Sequence, residues 1–339
     1  MINGVTVHRA SSVGIFLSLP LSPDFIIHFY RLIKLCNLAH FHVPFPLAEL
    51  AYVLTKPSVK TIASWHSDIV RQKIFKPIYY PFLKSFLCRT SVILVPTVQH
   101  IHSSPLLSNY TQKCLVVPFG IDPSRFALSQ SVQTQVKRIR EKFGKKIILS
   151  VGRLVYYKGF EYLISAMTDV DACLIIVGNG PKKVDLYRKI KELKLEHKVF
   201  ILSDIPDSSL LAYYHSCDVF VLPSIEPTEA FGLVQLEAMA CGKPVVNTNL
   251  STGVPLVSKH GETGLTVPPR DSSALAAAIN YLLKNPDVAE RFGQRARQKV
   301  QDEFNVSLMI ERIYKVYVHI LEGSTDAFGE ACEDHSKHI

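Results

Sequence analysis

Lys146-Ile-Ile-Leu-Ser-Val151-Gly152-Arg153-Leu-Val-Tyr-Tyr-Lys158-Gly159 is a short apolar run that stops at a glycine and crosses a loop with two cations. A helical pattern follows from about Phe160. A buried strand feeding a helix through a glycine loop is the repeating unit of parallel α/β folds. The same alternation runs in both directions from this point. Strands are expected near 38–42, 61–64, 92–96 and 114–118 in the first half, and near 172–177, 198–202, 219–222, 244–247 and 266–267 in the second, with helices between. Open sheets of this kind bind ligands outside the carboxyl ends of their strands. The loops 152–159, 178–181, 203–206 and 224–231 all lie there.

In the last of these loops, Glu229-Ala-Phe231-Gly232-Leu233-Val-Gln-Leu-Glu237 sets two carboxylates eight residues apart around a glycine that opens an apolar helix. At the rise of an α-helix the two acids can lie up to about 12 Å apart. Between them the helix start offers unbonded N–H groups and a positive dipole end, which suit phosphate oxygens. Gly232 leaves room for close approach. A carboxylate accepts hydrogen bonds from two neighbouring ring hydroxyls, so one acid at each end of a diphosphate suits hexose on one side and ribose on the other. Arg153 and Lys158 add a planar fork and a point charge for the diphosphate itself. Each piece has a plainer reading: Phe231, Leu233, Val234, Leu236 and Met239 form a core stripe that the acids flank, and loop cations are common. Their combination points to a sugar nucleotide.

A chain of 339 residues is long enough for two ordinary domains. With 47% hydrophobic and 20% charged residues it reads as a folded protein. The net charge of +9 is unevenly spread. Residues 1–146 hold 18 Lys and Arg against 5 Asp and Glu, whereas the remainder holds 20 against 24. The first half is therefore suited to an anionic partner. In 70–89, the basic residues Arg71, Lys73, Lys76, Lys84 and Arg89 alternate with Ile74, Phe75, Ile78, Tyr79, Phe82 and Phe86. That pattern fits an anionic membrane surface, or a buried apolar face with solvated lysines. No nucleic-acid fingerprint is present. Seven scattered cysteines without a CxxC pair read as reduced, buried thiols of a cytoplasmic protein. No apolar run reaches the length of a spanning helix.

Taken together, the residues resemble a retaining glycosyltransferase of family four with the α/β GT-B fold, two Rossmann-like domains facing a cleft. The matching segments are Glu229 to Glu237, Val151-Gly-Arg-Leu with Lys158-Gly, Val177-Gly178-Asn-Gly-Pro181, Cys217-Asp-Val-Phe-Val-Leu-Pro-Ser224, Gly261-Glu-Thr-Gly-Leu265 and Val117-Pro-Phe-Gly-Ile-Asp122. They span the chain from about residue 4 to 320. The segments Trp65-His66-Ser-Asp-Ile-Val-Arg-Gln-Lys73 and Ser251-Thr-Gly-Val-Pro255 further resemble the bacterial mannosyl and rhamnosyl transferases of surface polysaccharide synthesis.

The resemblance implies four catalytic residues, Arg153, Lys158, Glu229 and His66. Gly152, Gly178, Phe231, Gly232, Leu233 and Glu237 would bind the donor. Arg153 and Lys158 would hold its diphosphate, Glu229 the hexose hydroxyls and Glu237 the ribose, while His66 would face the reacting sugar. The implied reaction moves a hexosyl group, mannose or a relative and by preference from GDP-mannose, to a hydroxyl of a lipid-linked glycan or polysaccharide precursor. It needs no metal and no cofactor beyond the donor, and takes place in the cytoplasm at the inner membrane face. Domains are expected at 1–143 and 144–304, with a helix at 305–322 crossing back and a tail at 323–339.

Three further points bear on this reading. Asp169-Val170-Asp171 spells a metal-binding pattern but precedes a strand, at the end of the sheet away from the ligand edge. His40 and His42 lack an acidic third ligand and read as packing. Relatives usually begin with a strand and a glycine-rich loop that this sequence lacks, so the first sheet is expected to show a gap or two unpaired edges. A noncatalytic nucleotide-sugar binder and a membrane-surface partner protein are the alternatives.

Overall fold

The computed structural model describes residues 4–16, 19–68, 76–144 and 146–323. They divide into two compact units, one running to Val117 and resuming at Glu311, the other spanning Pro118–Ile310. In the first unit, β1 (Gly14–Phe16) and β2 (Leu19–Leu21) form a small antiparallel pair. Strands β3 (Leu38–Val43), β4 (Lys60–Trp65), β5 (Val92–Val95) and β6 (Cys114–Val116) form a parallel sheet in chain order. No gap separates them, and β3 and β6 are its edges. One face packs Phe41, Val43, Ala63, Trp65, Ile93 and Val95 against Leu83, Phe86 and Leu87 of the helix Lys76–Arg89. The core reading thus holds for those three residues of the basic segment, while Ile78 is exposed. Arg71, Lys73, Ile74 and Phe75 lie outside the described residues.

The second unit holds β7 (Ile147–Val151), β8 (Cys173–Val177), β9 (Val199–Leu202), β10 (Val219–Leu222), β11 (Val245–Thr248) and β12 (Gly264–Val267). All pair in parallel, in the order β12-β11-β10-β7-β8-β9. Helices cover both faces, which is why these strands read as continuous apolar runs. Alternate residues serve opposite cores: Ile148, Leu174, Ile176, Val219 and Val221 join one, and Ile147, Leu149, Ile175, Phe220 and Leu222 the other.

The expected boundary at 143 leaves the helix Gln130–Phe143 in the first domain, whereas it groups with the second unit. There Arg140 bonds Asp218 at 2.8 Å, and Asp218 accepts from the Ile147 N–H at the start of β7. The helix Val306–Glu322 straddles the division and contributes all but its first five residues to the first unit. The β1–β2 pair escaped the pattern because three-residue strands carry too few alternations to register.

Candidate functional site

The chain builds β7, β8 and β9 outward in one direction and then returns to place β10 on the other side of β7. That reversal is a topological switch point, where the loops leaving two adjacent strands part and open a crevice. Here the loops at the switch point are those after β7 and β10, the two that carry Arg153, Lys158 and Glu229. Backbone bonds tie them together, from Ile225 N–H to Tyr157 C=O at 2.8 Å and, one strand over, from Gly152 N–H to Val177 C=O at 3.0 Å. Close approach demands glycine at two points. A Cβ on Gly159, which has φ +66°, would lie 2.1 Å from the Pro223 carbonyl oxygen, and one on Gly178 would lie 1.9 Å from that of Gly152.

Lys158 Nζ lies 2.5 Å from Glu229 Oε2, and Ser224 Oγ donates to the same oxygen at 2.9 Å. Both charged residues are only 8% exposed. The Lys158 chain runs over Gly152, where a Cβ would sit 3.3 Å from Cε, so this glycine makes room for the lysine. Tyr157 stands in the same surroundings. Burial and the neighbouring Glu229 carboxylate push its phenol upward, and Arg153 pulls it down. Arg153 itself is exposed at the loop's crest. The structure therefore brings Gly152, Arg153, Lys158, Gly178 and Glu229 to one strand edge.

Gly232 adopts φ +73° and starts the helix Leu233–Ala240 without a side-chain cap. Its first N–H groups are thus left for another acceptor. Phe231 is fixed edge-on between Phe119 and Phe304, at 5.3 and 5.8 Å, while Leu233 is 46% exposed. Further along, Glu237 lies in different company. Tyr214 donates to its Oε2 at 2.6 Å, and burial pushes the carboxyl upward against that bond.

His66 belongs to the first unit, at the carboxyl end of β4. Its Nε2 is 2.8 Å from His42 Nδ1, and the two rings stack at 5.1 Å. His40 stacks on His42 and bonds Ser64 and Tyr317 at 2.8 and 2.5 Å. Burial, aided by the neighbouring imidazoles, pushes His40 down to about 4 and lowers His66 as well. His40 is half-buried within this ladder, whereas His42 is exposed, so the packing role read for the pair fits only the former.

The Asp169–Asp171 pair precedes β8, at the sheet's amino end. Among the described residues no group of three or more His, Cys, Asp or Glu is placed to hold a metal ion. No helix among them is long and apolar enough to cross a membrane. The expectation of uniformly buried cysteines needs correction. Cys173, Cys217 and Cys241 are buried and Cys114 is half-buried, but Cys36 and Cys88 are exposed. Cys332 lies outside the described residues. Tyr157, Tyr214 and Ser224 were missed as site residues, since a tyrosine in an apolar run and a serine after a strand carry no spacing signal of their own.

A sequence profile of the family described as Glycosyl transferases group 1 matches residues 131–299. The chain is 29% identical to O-antigen chain mannosyltransferase C of Escherichia coli, over 85% of this chain and 77% of that protein. It is 31% identical to D-rhamnosyltransferase WbpZ of Pseudomonas aeruginosa, over 89% of this chain and 78% of the relative. Among solved structures, Anabaena Alr3699/HepE in complex with UDP has a similar fold, with a TM-score of 0.75 at 19% identity over 88% of this chain and 82% of that one.

Proposed function

The chain belongs to the group 1 glycosyl transferases and has the GT-B fold, and from that premise we propose that it moves a hexosyl group from a nucleoside diphosphate to an acceptor hydroxyl with retention of anomeric configuration. Mannose or a close relative is the favoured sugar, in keeping with the mannosyl and rhamnosyl transferases above, and GDP is the carrier that the sequence resemblance favours. The acceptor is a lipid-linked glycan or polysaccharide precursor. The positive charge of the first half suits work at the cytoplasmic face of an anionic membrane.

One observation carries this reading: a buried lysine–glutamate pair at the switch point of a parallel sheet, beside an uncapped helix start. In it Glu229 takes the hexose hydroxyls and Glu237 the ribose, its Oε1 standing opposite the oxygen that Tyr214 occupies. Arg153, Lys158 and the amides of Phe231, Gly232 and Leu233 meet the diphosphate, with Gly152 and Gly178 clearing the approach. Negative charge grows on the departing diphosphate as the glycosidic bond breaks, so cations and dipoles fixed in advance stabilise the transition state more than the ground state. The departing oxygen takes the acceptor's proton on the same face, so no protein base is required. His66 is assigned to the reacting sugar. This scheme includes no metal and no cofactor besides the donor.

The test is a panel of GDP- and UDP-sugars, first for binding by calorimetry and then for transfer or hydrolysis. Tight binding of one donor with turnover is expected. Binding without turnover would leave a noncatalytic receptor, and no binding at all would sink the assignment.

A further inference from the structure

The helix start that faces the diphosphate is held from behind by two buried amides. Gln235, on the first turn of the helix Leu233–Ala240, and Asn247, on β11, are both 0% exposed. Gln235 Nε2 donates to the carbonyls of Phe231 and Val254 at 2.9 and 3.1 Å. Asn247 Nδ2 reaches Gln235 Oε1 at 3.2 Å and the carbonyls of Val254 and Ser258 at 3.0 Å each. Asn247 Oδ1 in turn accepts from Thr266 Oγ1 at 2.8 Å. Because carbonyls can only accept, they dictate which end of each amide carries the N–H groups, and the relay has one polarity.

We propose that Gln235, Asn247 and Thr266 are positioning residues for donor binding, setting the Phe231–Gly232 peptide so that the free N–H groups of the helix start point at the diphosphate. This rests on the donor-site reading above. The Phe231 carbonyl is the rear of that peptide, and a Cβ on Gly232 would meet Leu222 Cδ2 at 2.6 Å and Gln235 Nε2 at 3.0 Å. The neighbouring strand residue fixes the opposite wall of the site. Thr248 Oγ1 donates to the Ser224 carbonyl at 2.5 Å, and Ser224 holds Glu229. The carboxyl end of β11 thus anchors both the anion-binding turn and the hexose-binding acid. Apolar residues of similar size would fill the space but would leave the Phe231 carbonyl without a donor and its peptide free to turn.

The experiment compares the wild-type chain with Gln235→Met and Thr266→Val. The probes are GDP and UDP by calorimetric titration, steady-state donor kinetics, and thermal melting without nucleotide. Gln235→Met should weaken binding of the preferred diphosphate and raise donor KM about tenfold, with a smaller fall in kcat. Thr266→Val removes one hydroxyl at nearly constant shape. It should weaken binding about threefold while melting within about 2 °C of wild type. If wild type binds a diphosphate and both variants match its affinity, or lose only melting temperature, the relay is structural and the proposal is wrong. If wild type binds neither diphosphate, the donor-site reading falls and takes this one with it.

Discussion

An ion pair of 2.5 Å between two residues each 8% exposed, Lys158 and Glu229, makes each group depend on the other. Removing one partner of a buried pair leaves an uncompensated charge, typically at a cost of about 3–5 kcal/mol. Glu229→Gln keeps the shape and strands Lys158, so it should lose about 3 kcal/mol of stability by chemical denaturation. Donor kcat/KM should also fall by about 10²-fold, the usual loss when a preorganised polar group of an active site is removed. A variant that melts early but turns over normally would show that Glu229 serves the fold alone. Glu237 differs, since its Oε2 already has the Tyr214 hydroxyl. Glu237→Gln should raise donor KM about tenfold with little change in kcat, because a ribose contact acts equally on ground and transition states. A loss confined to kcat would contradict that role.

At the level of elements, the site depends on how closely the loop after β7 can approach the loop after β10. Gly159 has φ +66° and stands against the Pro223 carbonyl, whereas Gly261 has φ +75° with nothing within 4 Å. Both positions penalise a side chain by about 1–2 kcal/mol of backbone energy. Only Gly159 adds a collision with backbone that cannot swing aside. Gly261→Ala should therefore cost about 1 kcal/mol and leave donor binding intact, while Gly159→Ala should cost several times that and weaken donor binding by displacing Lys158. Denaturant midpoints and calorimetry on the two variants check this. Equal losses would mean that the two loops have room to separate.

Across the whole molecule, the first unit carries imidazoles that burial keeps neutral. His40 and His100 are pushed down to about 4 from the ordinary 6.5, and His66 is lowered too. Below pH 6.5 the unfolded chain takes up these protons more readily than the folded chain, and for His40 and His100 the difference persists to about 4. Stability must therefore fall with pH across that window and stay unaffected by these groups above it. Glu49, raised by burial to about 6, works in the opposite sense between 6 and its ordinary 4.5, but it is one group against three. Trp65, the only tryptophan and 2% exposed, reports on this unit by fluorescence. Its denaturant midpoint should drop between pH 7 and 5, and His40→Gln should shrink the drop. A flat profile would mean that the histidine ladder opens to solvent without cost.

How much of this could be read beforehand follows from the range of each interaction. The strands at 147–151 and 219–222, the glycine loop at 152 and the acids around Gly232 were legible, because strand burial, turn conformation and helix initiation leave marks within a few residues. So was the pairing of cations with acids as a chemical theme. The Tyr214–Glu237 bond, the Gln235–Asn247–Thr266 relay and the histidine ladder were not, since each joins residues from separate elements whose neighbours no local pattern specifies. Local sequence by itself determined which segments are strands, loops and helices and which loops could take a phosphate. Only tertiary structure decided that β10 returns to the far side of β7. Strand order is chosen by the packing of whole helices on a sheet, and it is this order that brings Lys158's loop against Glu229's.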